Sequence, residues 1–457
     1  MLERIAAFFN TLTETQILLG SIGLIALLTM SFIRSGLGLY IAAIIVSIAF
    51  ATAADLRKKV PFLQLLPLVL AVPLFFRLFT AQKGHRWPSA AWIWVMLIGL
   101  FAVRSMFSEL GVEGIQWWIF YFFTLTCGLS IGNLLSSPTY RDTMVRWLAF
   151  GSIAVILLGL LAIVVDRANA YTQGRLTPYG VQANIWGPNS LVAFMNAFLF
   201  VEMSRGATGR FLKITLLVVA AGSLLLTLSR GAIFAGFIML GIYFLIAKGN
   251  RGRMIIIGSI LAAGTAGALV YGVSKGAIQT ESVDRVFRLR DASRENLQVF
   301  LFNEHVVPNF MFGKGVWFWM DGGRVARSDA HNSIMQIWIE QGTFGLALLC
   351  GLLALITANA IRAYRRSAIG SPERILAQHA IACGIALFLD GLTVPHLFSH
   401  HALMGFEFAI LGGTVAGLAR VVGRPADPRA AALERALRGA ALLDRAAARR
   451  QPTAASI

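Results

Sequence analysis

The stretch LKITLLVVAAGSLLLTLSRGAIFAGFIMLGIYFLIAKGNRGR, from Leu212 to Arg253, decides what kind of protein this is. Two apolar runs, 212–228 and 231–247, flank the junction Ser229-Arg230-Gly231, and a basic cluster from Lys248 to Arg253 follows. Each run approaches the roughly 20 apolar residues that carry a helix across a bilayer. Short basic loops stay on the cytoplasmic side of a membrane. Arg205 to Lys213 and Lys248 to Arg253 are both basic, so the junction at Arg230 is expected at the opposite face.

The rest of the chain repeats this pattern. Of 457 residues, 57% are hydrophobic and only 14% charged, against roughly 45–50% and 25% in soluble domains. A collagen, a disordered tail and a disulfide-rich secreted domain are excluded. The apolar residues, about 260 of them, suffice for about a dozen spans. A net charge of +18 would suggest nucleic acid in a soluble protein. Here it reads as Lys and Arg gathered in cytoplasmic loops, and no zinc-finger, helix-turn-helix or RNP pattern accompanies it. Cys127, Cys350 and Cys383 are widely spaced inside apolar runs and read as small buried hydrophobes, not a disulfide or metal set.

Thirteen apolar runs stand at about 14–33, 35–53, 60–79, 88–107, 115–136, 147–165, 186–203, 212–228, 231–247, 254–273, 333–359, 375–394 and 402–419. The first reads as an uncleaved helix, since it lacks a strongly basic leader and a cleavage site. The run 60–79 carries Pro61, Pro67, Pro73 and Arg77 and follows Arg57-Lys58-Lys59. Reading it as re-entrant or interfacial leaves about twelve spans, both termini in the cytoplasm and the basic triplet inside. The expected fold is an all-α polytopic bundle. Its membrane domain is 1–420, with one larger outer loop, 274–332, and a basic Ala- and Arg-rich cytoplasmic tail, 421–457. That tail suits either a helix on an anionic leaflet or a solvated end.

Within the outer loop, Ser293 to Val306 has helical character, with Leu297, Phe300 and Leu301 on one side. The aromatics Phe310, Phe312, Trp317, Phe318 and Trp319 suit a loop resting on the bilayer interface. Arg230 reads as a snorkelling anchor or as an outward anion site with Gly231 admitting close backbone approach. His331, in Asp329-Ala330-His331-Asn332-Ser333, reads as a helix-start residue or as a general base. Glu340 lies nine residues on, on about the opposite helix face. Arg294 opens a helix, beside donors that favour anions, or belongs to a salt-bridged loop. Arg175 precedes Asn184 and the turn-like Gly187-Pro188-Asn189. His396, His400 and His401 cluster near the last outer loop, but with only Asp390 at hand zinc is not expected. P-loop, HExxH and paired-carboxylate motifs are absent.

Leu228-Ser229-Arg230-Gly231-Ala232, then Ala292-Ser293-Arg294-Glu295, then His331-Asn332-Ser333 with Glu340-Gln341-Gly342 and Gly345-Leu346, follow in an order that resembles the O-antigen ligase and polymerase superfamily of bacterial inner membranes. Arg175-Leu176 and Gly187-Pro188-Asn189 are similar to that family's pattern too, and the resemblance is best over 170–360. It implies a GT-C-like, metal-independent, inverting glycosyltransferase without a cofactor. The donor would be a glycan on undecaprenyl pyrophosphate at the periplasmic face. The acceptor would be a hydroxyl of lipid A–core in a ligase, or of another lipid-linked repeat in a polymerase. Carried over, Arg230 and Arg294 bind the pyrophosphate, with Arg175 as a further candidate, and His331 is the base. A protein O-oligosaccharyltransferase is a variant of this chemistry. A flippase or secondary transporter is the rival outside it, although the arginines gather at one face and no repeat is evident.

Overall fold

The computed structural model describes residues 36–51, 65–81, 89–106, 112–165, 170–172, 175–203, 209–247, 292–315, 331–394 and 403–423, with 53, 55, 56, 60, 63, 258 and 397 between them. Almost all of this is helix. In chain order the helices are α1 (Leu37–Phe50), α2 (Leu66–Ala81), α3 (Ser89–Met106), α4 (Val112–Leu135), α5 (Pro138–Val165), α6 (Ala183–Met203), α7 (Arg210–Leu226), α8 (Arg230–Ile246), α9 (Ala292–Leu301), α10 (Ser333–Arg366), α11 (Pro372–Gly391) and α12 (Leu403–Gly423). A ribbon of two-residue strands, β1 (Tyr171–Thr172) and β2 (Arg175–Leu176), pairs antiparallel between α5 and α6. Among the described residues, five helices are long and apolar enough to cross a membrane: those containing Trp118–Leu135, Pro138–Val165, Ser333–Arg366, Pro372–Gly391 and Leu403–Val422. This is the build of a helical membrane protein.

Eleven of the apolar runs coincide with helices, while 14–33 and, apart from residue 258, 254–273 lie outside the described residues. Pro73 does not stop α2, which buries Leu70, Leu74 and Leu78. Its 16 residues reach about 24 Å, short of the roughly 30 Å of a hydrocarbon core. The triplet Arg57-Lys58-Lys59 and the tail from 424 lie outside the described residues, as do His396, His400 and His401. Gly187-Pro188-Asn189, read as a turn, are helical and buried in α6. Pro188 costs that helix one backbone bond at its second turn, where the helix has barely begun.

Basic side chains staple one end of the bundle. Arg141 Nη2 donates to Glu373 Oε1 at 2.7 Å and to Ser136 O at 3.0 Å, tying α5 to the start of α11. Arg374 lies 4.2 Å over the Tyr364 ring. Tyr364 Oη and Gln378 Nε2 both donate to Ile246 O, at 2.9 and 3.1 Å. Arg420 donates to Asn133 Oδ1. The ends of α4, α8, α10 and α12 therefore meet the starts of α5 and α11 at this basic end.

The opposite end gathers the end of α1 and the starts of α6 and α12. Phe50 of α1 packs against Tyr179 and Trp186, with ring centroids 5.9 and 5.8 Å apart. Asn189 Nδ2 donates to Ala49 O at 3.4 Å, and its Oδ1 accepts from the Leu403 amide at 3.2 Å. Between the two ends, small residues let helices touch. A Cβ on Gly132 would strike the Ile410 carbonyl, and one on Gly413 the Leu129 carbonyl. This is how α4 and α12 approach closely without a hydrophobic drive between them.

Candidate functional site

The chain turns from α7 into α8 through Thr227-Leu228-Ser229, and the turn is strained. Leu228 has φ +48°, a left-handed value costly for a branched side chain. Thr227 holds the turn, its Oγ1 donating to Leu224 O at 2.6 Å and accepting from the Ser229 amide at 3.1 Å. Arg230 then opens α8, half-buried. Arg175, on β2, donates from Nε to Thr227 O and from Nη2 to Asn184 Oδ1, both at 3.3 Å. The structure thus brings Arg175 onto the turn that carries Arg230.

Behind Arg230 stands a carboxylate. A Cβ on Gly231 would lie 2.5 Å from Asp390 Oδ1 and would also strike Thr393 Oγ1. Asp390 is fully buried near the C-terminus of α11. Its Oδ1 accepts from Thr393 Oγ1 at 3.3 Å, while Oδ2 has no hydrogen-bond partner among the described residues. An orphaned buried carboxylate oxygen is costly. The first turn of α8, the positive end of its helix dipole, lies directly beside it.

His331 reaches the same end from another helix. Asn332 caps α10, its Oδ1 accepting from the amides of Ile334 and Met335 at 2.9 and 3.2 Å. Ser333 Oγ donates to Val394 O at 2.8 Å and accepts from the Leu397 amide at 3.1 Å. A Cβ on Gly391 would lie 3.4 Å from Ser333 Oγ. The starts of α8 and α10 therefore abut the neighbouring residues Asp390 and Gly391. His331 itself has φ +45°. The non-glycine residues with positive φ among those described are Tyr179, Leu228 and His331, all at this end. Strain of this kind, about 1–3 kcal/mol each, persists where the surrounding structure enforces it and clusters at functional sites.

The segment that carries α9 packs on the helix that follows His331. Leu301, Val306 and Ile339 form a small core, with Leu297, Phe302, Met335 and Trp338 against it. Phe300, read with Leu297 and Leu301 on one side, is exposed instead, and Phe302 takes its place. A π-helical turn, Phe302–Val306, shifts the register after α9 and sets Phe302 against Trp338, ring centroids 5.4 Å apart. Arg294 lies in α9, so its helix is seated on α10, but its side chain lies outside what is described. Burial and the nearby Lys314 charge hold the His305 imidazole below its ordinary pKa, the Glu304 carboxylate acting weakly the other way. Glu340 is buried and accepts from Gln336 Nε2.

Two features of this end escaped the sequence reading. The Asp390 contact joins α8 to α11 across 159 residues and leaves no local pattern. The π turn ends at Val306, in one small core with Ile339, and no residue type marks it. Among the described residues no group of three His, Cys, Asp or Glu side chains is placed to hold a metal ion. No protein-family profile and no curated protein matches this chain.

Proposed function

We propose that the protein is a membrane glycosyltransferase that moves a glycan from undecaprenyl pyrophosphate to a sugar hydroxyl at the periplasmic face, most simply an O-antigen ligase acting on lipid A–core. The supporting observation is the convergence of Arg175, Arg230 and His331, on three separate elements, at the end of the bundle opposite the basic staples. Guanidiniums bind pyrophosphate bidentately and stabilise charge as the anomeric C–O bond breaks. His331 takes the proton of the attacking hydroxyl. The new glycosidic bond forms as the electron pair of the old one leaves with undecaprenyl pyrophosphate. Direct attack inverts the anomeric centre. Pyrophosphate is already a good leaving group, so no nucleotide takes part.

Purified protein given lipid-linked glycan and lipid A–core should form the glycoside and release undecaprenyl pyrophosphate. His331→Ala should lose about 100-fold or more in turnover, and Arg230→Lys about 100-fold, because an ammonium cannot replace the guanidinium fork. Full activity in either variant removes that residue's role. Uptake of the lipid-linked glycan with no bond formed makes the protein a transporter. In a deletion strain, loss of all long chains with donor accumulating identifies a ligase, and one-repeat capping a polymerase.

A further inference from the structure

Helix α10 is two helices. At Gly342 the backbone takes φ +67° and ψ −169°, a conformation open only to glycine, so Ser333–Gln341 and the remainder to Arg366 are joined by a break. Such a break leaves carbonyls and amides without helical partners. Here the outer loop supplies them. The amides of Lys314 and Gly315 donate to Ile339 O and Glu340 O at 2.7 and 3.0 Å. The amides of Thr343 and Phe344 donate to Phe310 O and Met311 O at 2.8 and 3.3 Å. Thr343 Oγ1 adds a bond to Phe310 O at 2.9 Å.

The two chains touch backbone to backbone at a pair of glycines. A Cβ on Gly313, itself at φ +68°, would strike the backbone of Glu340, Gln341 and Gly342. One on Gly342 would strike Met311 and Gly313. A third element closes the arrangement from the side: Arg104, near the C-terminus of α3, donates from Nη2 to Gly313 O. A half-buried arginine on an apolar helix is expensive and is expected to have a task.

We propose that Arg104 is a positioning residue: by clamping Gly313 it seats the strap Phe310–Gly315 in the break of α10 and so fixes the short helix that presents His331. This rests on the reading of His331 as the base. His331 stands eleven residues before Gly342, about 16 Å along a helix. A tilt of about 4° at the break moves it by about 1 Å, and a misplacement of that size costs on the order of 100-fold in rate. The strap lies far in sequence from Arg175 and from the turn that carries Arg230, so donor binding is expected to stay intact.

The test uses the full chain in lipid nanodiscs. Arg104→Ala should speed hydrogen exchange at the amides of Lys314, Gly315, Thr343 and Phe344, and lower kcat by about 30- to 100-fold with the donor KM within about twofold. Arg104→Lys, which still offers one donor to one carbonyl, should recover most of both. Unchanged exchange in Arg104→Ala overturns the clamp. Faster exchange with unchanged kcat overturns its link to His331. Should the parent protein make no glycoside at all, the proposed reaction fails, while the exchange arm still judges the clamp.

Discussion

Gly231 shows how much one absent side chain can determine. Its hydrogen lets the first turn of α8 lie on the Asp390 carboxylate and the Thr393 hydroxyl, and a methyl group there would overlap both. Gly231→Ala should therefore lower stability by about 1–3 kcal/mol and displace Arg230 from its neighbours. The expected result is a lower Tm together with a loss of transfer activity. Gly241→Ala, on the same helix, meets nothing within 4 Å and should be neutral or gain about 0.5–1 kcal/mol from helix propensity. If the two variants melt alike, the contact with α11 does not constrain α8. The strained Leu228 and His331 fit the same picture, since each holds an arginine or imidazole where an unstrained turn would not.

At the scale of elements, the close seam between α4 and α12 carries the prediction. Gly132 and Gly413 each face a carbonyl of the partner helix, so Gly132→Ala or Gly413→Ala should lower Tm by the equivalent of about 1–3 kcal/mol. Gly351→Ala, with nothing within 4 Å, is the control in thermal melts of detergent-solubilised protein. What the sequence discloses at this scale depends on how local its causes are. The run 231–247 became α8, Arg230–Ile246, almost residue for residue, because Arg230 and Lys248 punctuate it. The break in α10 was hidden because Gln341-Gly342-Thr343 takes its conformation from bonds to Phe310 through Gly315, partners about thirty residues away. Gly187-Pro188-Asn189 misled for a related reason: a turn signal was outweighed by burial in α6. Of the candidate site, Arg175, Arg230 and His331 were legible as polar residues at the edges of apolar runs. Asp390, inside a run, owes its contact with the first turn of α8 wholly to packing.

For the whole molecule, the division into two ends is the feature on which the proposed reaction depends. Arg141, Arg374 and Arg420 fasten one end. Arg175, Arg230 and His331 stand at the other. The proposed reaction requires the basic end to face the cytoplasm, as the charge rule would have it, so that a donor presented in the periplasm meets the second end. Single cysteines test this in a chain whose Cys127, Cys350 and Cys383 are replaced by alanine. Gln182 and Ile369 are exposed, the former beside β2 and the latter in the turn between α10 and α11. In intact cells a membrane-impermeant maleimide should label Gln182→Cys and spare Ile369→Cys until the membrane is opened. The reverse pattern would place both arginines in the cytoplasm, where a periplasmic lipid-linked glycan is out of reach, and a glycosyltransferase working from that donor could not operate on this fold.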